Sequence, residues 1–323
     1  AAMASDGGAQ DWVETSFKPG FSMRILHMNA DALKLEMKGI DPPLANAFRR
    51  ILIAEIPTVA ISEVRVMQNT GVIPDSNLVH RLGLVPIVFE PDNLSQRTYE
   101  FDEDLIADVP QETLPDPAYS VTFALKVSNP NPPAGNGVKR NVYSRELVWQ
   151  PHSEEERKAF SGAPPKPVAN DIMIAKLAPG QEIDLICFAE RGIGKQHIKW
   201  SPVCNATYRM VQNVHLARPV VGDDAEKLQE ECPPGVIELV QDEMSPMMMA
   251  RVADTTKFTV HRQRLEPFAE LGVSVESAKD HYIFNIESVG HLPAPDLLAR
   301  ALKVLKRKCQ SWRGTVTQMA KDQ

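Results

Sequence analysis

The hydrophobic positions of this chain change period as the sequence is read. In ALKLEMK, Leu33, Leu35 and Met37 alternate with Lys34, Glu36 and Lys38. A period of two predicts a strand with one wet face, and MRILHM before it predicts a second strand across a turn at Asn29–Asp31. The period then lengthens. In GIDPPLANAFRRILIAEIPTVA, Leu44, Phe48, Ile51 and Leu52 fall on one stripe of a helix, which Ala45, Ala47 and Ile53 widen. Asp41 is the candidate N-cap, Pro42 occupies the first helical position, and Pro57 ends the run. The polar face of this helix holds Asn46, Arg49 and Arg50, with no acid, base or metal ligand beside them.

Further along, TVAISEVRVMQNTGVI predicts a strand and turn. DSNLVHRLGLVPI predicts a short helix capped by Asp75 or Ser76 and stopped at Gly83. Residues from Phe89 to Pro117 are acidic and irregular, centred on EFDEDLIADVPQETLPDP. YSVTFALKV, VKRNVYSRELVW, DIMIAKL, PGQEIDLICFAE and KWSPVCNATYRMV predict a sheet-rich middle with long connections. A less regular region after Leu216 contains MSPMMMARVA, and a clear strand resumes at His281. In the closing segment Leu298, Leu302, Leu305, Cys309, Trp312, Val316 and Met319 recur at the alternating spacing of a coiled-coil seam, with Lys303, Lys306, Arg307 and Lys308 mostly off it. Strand-plus-helix text at both ends, and sheet text between, predicts an α+β chain in which one domain is interrupted by another. Residues 1–20 read as a disordered N-terminal tail.

Composition adds exclusions. The 323 residues are 43 % hydrophobic and 24 % charged, with a net charge of −7, so the chain as a whole lacks the basic character of a free nucleic-acid binder. No apolar run is long enough to span a bilayer. The four cysteines, Cys187, Cys204, Cys232 and Cys309, form no C-x-x-C pair, which suits a reducing compartment and argues against a structural zinc site. RGIGKQH, with Gly192, Gly194 and Lys195, is the nearest approach to a phosphate loop. Its first glycine is misplaced, and Gln196 stands where a hydroxyl would hold Mg²⁺. His80 stands alone, Asp102–Asp104 lack a spaced ligand set, and no catalytic, cofactor or metal motif emerges.

ANAFRRILIAEIPTVA, HRLGLVPI, KWSPV, DHYIFNIESVG and the closing helix, in that order, resemble the alpha-like subunits of cellular RNA polymerases, from about Phe21 to Met319. GIDPPLANAFRRILIAEIPT, NTGVIPDSNLVHRLGLVPI and LAPGQEIDLICFAERGIGKQH most resemble the line of larger alpha-like subunits shared by eukaryotic polymerases I and III. The third-largest subunit of polymerase II is the alternative within the family, but its zinc cysteines have no counterpart between Val88 and Ser120. A nucleotide-binding factor using Gly192–Lys195 is the alternative of another class.

The resemblance implies a discontinuous dimerisation domain, an antiparallel sheet with two amphipathic helices, over 21–57 and 201–323. A mostly β domain is inserted at 58–199; pattern alone would move the first boundary to after HRLGLVPI. It also implies a non-catalytic nuclear subunit, nucleolar and nucleoplasmic, without cofactor or membrane contact. Such a subunit pairs with a small alpha-like subunit, forms the platform for the two large catalytic subunits among the other polymerase subunits, and meets DNA only through the complex. On that expectation the dimer-interface candidates are Leu44, Phe48, Ile51, Leu52, Leu298, Leu302, Leu305, Trp312 and Val316. The large-subunit contact candidates are Asn46, Arg49 and Arg50.

Overall fold

The computed structural model describes residues 11–12, 20–95, 116, 118–130, 137–241 and 247–321. The acidic stretch Glu100–Asp108 and most of the tail read at residues 1–20 lie outside them. The strands, in chain order, are β1 (Asp11–Trp12), β2 (Ser22–Met28), β3 (Ala32–Lys38), β4 (Pro57–Asn69), β5 (Ile87–Val88), β6 (Ser120–Ser128), β7 (Arg140–Tyr143), β8 (Val148–Gln150), β9 (Lys166–Pro167), β10 (Met173–Leu177), β11 (Glu182–Ile193), β12 (Val203–Leu216), β13 (Ile237–Gln241), β14 (Met248–Val252) and β15 (Val273–Ser288). The α-helices are α1 (Pro42–Ala54), α2 (Asp75–Gly83), α3 (Glu154–Ala159), α4 (Asp223–Glu231) and α5 (Ala294–Lys321).

The chain forms two compact units. One comprises Ala1–His27, Lys34–Asn46 and Thr207–Asn285; the other comprises Met28–Leu33, Ala47–Ala206 and Ile286–Gln323.

In the first unit a five-stranded sheet has the order β1-β2-β3-β15-β12, so the N-terminal hairpin lies beside a strand from the last sixty residues. Tyr208 packs edge-on to Tyr282, at 5.5 Å between ring centroids, and tilts against Phe284. The region read as less regular after Leu216 contains α4 and the β13–β14 hairpin. They share a core of Val214, Ala225, Leu228, Ile237, Phe258 and Leu265. Sequence pattern missed α4 because DDAEKLQEE buries only Ala225 and Leu228, too few for a visible stripe. Likewise β15 begins at Val273 rather than His281, because SAKD in its first half is polar and largely exposed.

One charged cluster is built into this sheet. Glu36 is 3 % exposed, yet it accepts from Arg24, from Lys38 at 3.3 Å and from His281 Nε2 at 2.6 Å. Burial raises its carboxyl, but the His281 hydrogen bond and the Lys38 and Arg24 charges outweigh that and hold it below its ordinary value. Burial pulls His281 below its ordinary value, against the opposing pull of Glu36. In the second unit His291, bonded through Nδ1 to the Ile87 carbonyl at 2.9 Å, is lowered by burial too.

All three groups bind protons less readily when folded. Their stabilisation is therefore present above their unfolded values and lost as pH falls. The urea midpoint is expected to decline as pH drops below 6.5 and again below 4.5, the ordinary histidine and glutamate values. Glu36→Gln should flatten the lower limb. A midpoint that rises on acidification would contradict this assignment.

The second unit is organised by β11. Its twelve residues lie between β4 and β6 in the order β4-β11-β6-β8, and Ile183, Leu185, Cys187, Phe188 and Ala189 are buried. Burial alternates over its first half, as in a strand with one inward face, and becomes continuous from Cys187 to Glu190. Its core includes Val59, Ile61, Leu78, Leu82, Phe123 and Leu125. VKRNVYSRELVW, read as a single returning strand, is divided: β7 pairs with β10, whereas β8 pairs with β6. Helix α2 is capped differently from the sequence expectation. Pro74 takes the cap position and its carbonyl accepts from Asn77 and Leu78, while Asp75 lies in the first turn and accepts from Asn69 at 2.7 Å. Gly83 is helical rather than a left-handed stop, and Leu84 follows as the cap.

Candidate functional site

The two helices that carry the interface candidates, α1 and α5, differ in what they have left to offer. Helix α1 starts where expected: the Asp41 carbonyl accepts from Leu44 and Ala45 at 3.0 and 3.2 Å. Phe48, Ile51 and Leu52 are all buried within the chain, and Leu44 is half-buried. Most of this stripe is therefore already spent on internal packing. On the polar side Asn46 and Arg49 are half-buried and Arg50 is exposed.

Helix α5 is 28 residues long and presents distinct stripes. Ala294, Leu297, Ala301 and Val304 are buried. The adjoining seam is not. Leu298 and Leu305 are half-buried, Leu302 is 44 % exposed, Trp312 70 %, Val316 59 % and Met319 63 %, and Cys309 is also exposed. From Lys306 onward every described residue of the helix is exposed, so its last four turns bury no side chain in the described chain. An isolated helix shorter than about 15 residues is marginal in water. The seam is an apolar stripe open to solvent among the described residues.

Sequence pattern found the exposed seam but not the buried stripe. Leu297, Ala301 and Val304 each stand one residue ahead of a seam position, so the stripes adjoin and periodicity alone merges them. The packing anchor near this helix also escaped. Lys308 reaches Glu55 at 2.6 Å, and Arg300 Nη2 donates to both carboxylate oxygens of Glu90 at 2.8 Å.

RGIGKQH is a packing turn. A Cβ on Gly192 would lie 2.4 Å from the Trp200 ring, and one on Gly194 would lie 2.3 Å from the Ile53 carbonyl oxygen. The Trp200 indole N–H donates to the Glu190 carbonyl at 3.0 Å, so the ring is held in place. The amides a phosphate would need are engaged: Lys195 donates to Ala54 at 2.8 Å and Gln196 to Ile193 at 3.0 Å. The glycines are there for close approach of a ring and of another backbone.

Burial drives the thiols of Cys187 and Cys232 up to about 12 and about 11, which leaves them protonated and inert at neutral pH. Among the described residues no group of His, Cys, Asp and Glu converges as a metal site. What the described residues do offer is an exposed apolar seam suited to association.

Comparison with known proteins agrees with that geometry. The family described as the RNA polymerase Rpb3/Rpb11 dimerisation domain matches residues 34–309. The chain belongs to this alpha-like RNA polymerase family. The mouse subunit RPAC1 of DNA-directed RNA polymerases I and III is 39 % identical over 93 % of this chain and 85 % of its own length. The corresponding subunit of Saccharomyces cerevisiae is 35 % identical over 95 % of the chain and 90 % of its own length. The polymerase II subunit rpb3 of Dictyostelium discoideum is less similar, at 29 % identity over 92 % and 95 %. Within the alpha-like family, similarity thus places the chain in the line of subunits of polymerases I and III.

Proposed function

We propose that this chain is the non-catalytic, nuclear, larger alpha-like subunit of DNA-directed RNA polymerases I and III, acting in synthesis of ribosomal RNA precursors and of small RNAs such as 5S rRNA and tRNA. The observation that carries the reading is the solvent-facing seam of α5 beside a stripe already buried by the chain itself. The seam receives the matching helix of a small alpha-like subunit, through Leu298, Leu302, Leu305, Trp312 and Val316. Phe48, Ile51 and Leu52, already internal, hold α1 in place for this association, and Leu44 borders it. The dimerisation domain takes segments 21–57 and 201–323, with 58–199 inserted; the place of β3 beside β15 in one sheet supports that discontinuity. Asn46, Arg49 and Arg50 meet a large catalytic subunit, where the planar guanidinium fork suits carboxylates and carbonyls. Other polymerase subunits join this platform, and DNA is reached only through the complex. The subunit acts in the nucleolus and nucleoplasm and takes no cofactor.

The test is recovery of a tagged chain from nuclear extract at high salt, with mass spectrometry of its companions. Two very large chains and one small alpha-like chain are expected. A chain carrying Arg49→Ala and Arg50→Ala should keep the small partner and lose most of the large subunits. Large-subunit recovery at the wild-type level would remove the arginines from the proposal, and absence of all three companions would remove the polymerase reading.

A further inference from the structure

The side of α5 opposite its apolar seam is also shaped. Asp296, Arg300, Lys303 and Arg307 follow one another at helical spacing. At 3.6 residues per turn their stripe lies about 170° around the helix from Leu298, Leu302 and Leu305. All four line a cavity of about 280 Å³, and Arg307 also lines a second of about 460 Å³; the two share Pro57, Val304 and Arg307 in their lining. The opposite wall comes from Glu55, at the end of α1, and from Arg191, Ile193 and Lys195, at the end of β11.

Charge in this groove is unbalanced. Arg191, Lys195, Arg300, Lys303, Arg307 and Lys308 face Glu55, Asp92 and Asp296. The acids are partly used: Asp92 and Glu55 pair with Arg191 and Lys308, and Arg300 turns to Glu90. Lys195, Lys303 and Arg307 make no ion pair among the described residues. A separate observation marks the same place. The Nε of Arg191 is buried without a hydrogen-bond partner, although its terminal nitrogens reach Leu94 and Asp92 at 3.0 and 3.1 Å. A buried donor left unmade costs free energy, so the Arg191 side chain is held here without its full set of partners.

We propose that this groove is a docking site for an acidic segment of a second protein partner, distinct from the partner that covers the seam. Its carboxylates lie along Lys195, Lys303 and Arg307, and its apolar side chains rest on Pro57, Ile193 and Val304. A polynucleotide fits less well. Its sugar-phosphate backbone would leave the apolar lining of Pro57, Ile193 and Val304 unused. Because groove and seam occupy opposite sides of α5, both partners bind at once. The inference goes beyond pairing through the seam and does not rest on it.

The experiment uses the full chain and a short fluorescein-labelled peptide of alternating glutamate and leucine, followed by fluorescence anisotropy. A single-stranded oligonucleotide of matched charge serves as the competing probe. The peptide is expected to bind more tightly than the oligonucleotide. Lys195→Ala, Lys303→Ala and Arg307→Ala together should weaken the peptide about tenfold. Lys306→Ala with Arg313→Ala, on another side of the same helix, should change it by less than about twofold. All five side chains are exposed, and circular dichroism checks that each variant remains folded. Leu302→Asp should leave peptide binding intact. The proposal is overturned if the peptide does not bind, if the oligonucleotide binds better, if both basic sets weaken the peptide equally, or if Leu302→Asp abolishes binding.

Discussion

A chain carrying Leu302→Asp is expected to fold as before and to lose the small alpha-like partner. Leu302 is 44 % exposed in the free chain, so a carboxylate there stays hydrated and leaves the core untouched. In the proposed pair the same carboxylate would enter an apolar seam without a counter-charge, and an unpaired buried charge is among the largest penalties available to one substitution. Affinity should fall by at least about a hundredfold, equivalent to ~3 kcal/mol. Co-expression and gel filtration read the result: separate peaks in place of a heterodimer, with an unchanged far-ultraviolet spectrum for the larger chain. Leu52→Asp gives the contrast. Leu52 is fully buried within the chain, so that variant should unfold whether or not a partner is present. A normal heterodimer peak for Leu302→Asp would sink the assignment of the seam.

The second large effect concerns the turn that superficially suggests phosphate chemistry. Gly194→Ala should destabilise the chain by ~1–3 kcal/mol, because the added methyl meets the Ile53 carbonyl, which is backbone and cannot rotate away. Lys195→Ala, at the next residue but exposed, should stay within about 0.5 kcal/mol of the parent. Urea denaturation separates the two. If Gly194→Ala were neutral and labelled ATP bound in a Lys195-dependent way, the packing interpretation of RGIGKQH would be wrong.

How far the sequence discloses this protein depends on the kind of residue asked about. Periods of two and of 3.6 located β3, α1, β6 and α5, because each carries enough apolar positions to declare one face. They could not locate α4, whose two buried residues make no stripe, nor divide VKRNVYSRELVW between two sheets, since strand partners are chosen by distant segments. The apolar stripe of α1 showed why sorting interface from core fails in one dimension. Phe48 and Leu302 have equal standing as helical apolar positions, yet one is buried by its own chain and the other faces solvent. Only the fold says which surface has already been covered. Charge was less legible still. Lys303 and Arg307 read simply as residues off the seam; their groove needs Lys195, more than a hundred residues earlier, as its other wall.

The outer half of α5 has one more consequence. Sixteen consecutive exposed residues keep helical order most readily when a neighbour lies against them. Ordering and pairing are then one equilibrium, and the apparent stability of this segment increases with the logarithm of free partner once that partner exceeds its dissociation constant. In the proposed pair, a copy made in excess of its companion carries this stretch of α5 unshielded. If that pairing holds, the supply of the companion sets how much of this segment is ordered at any moment.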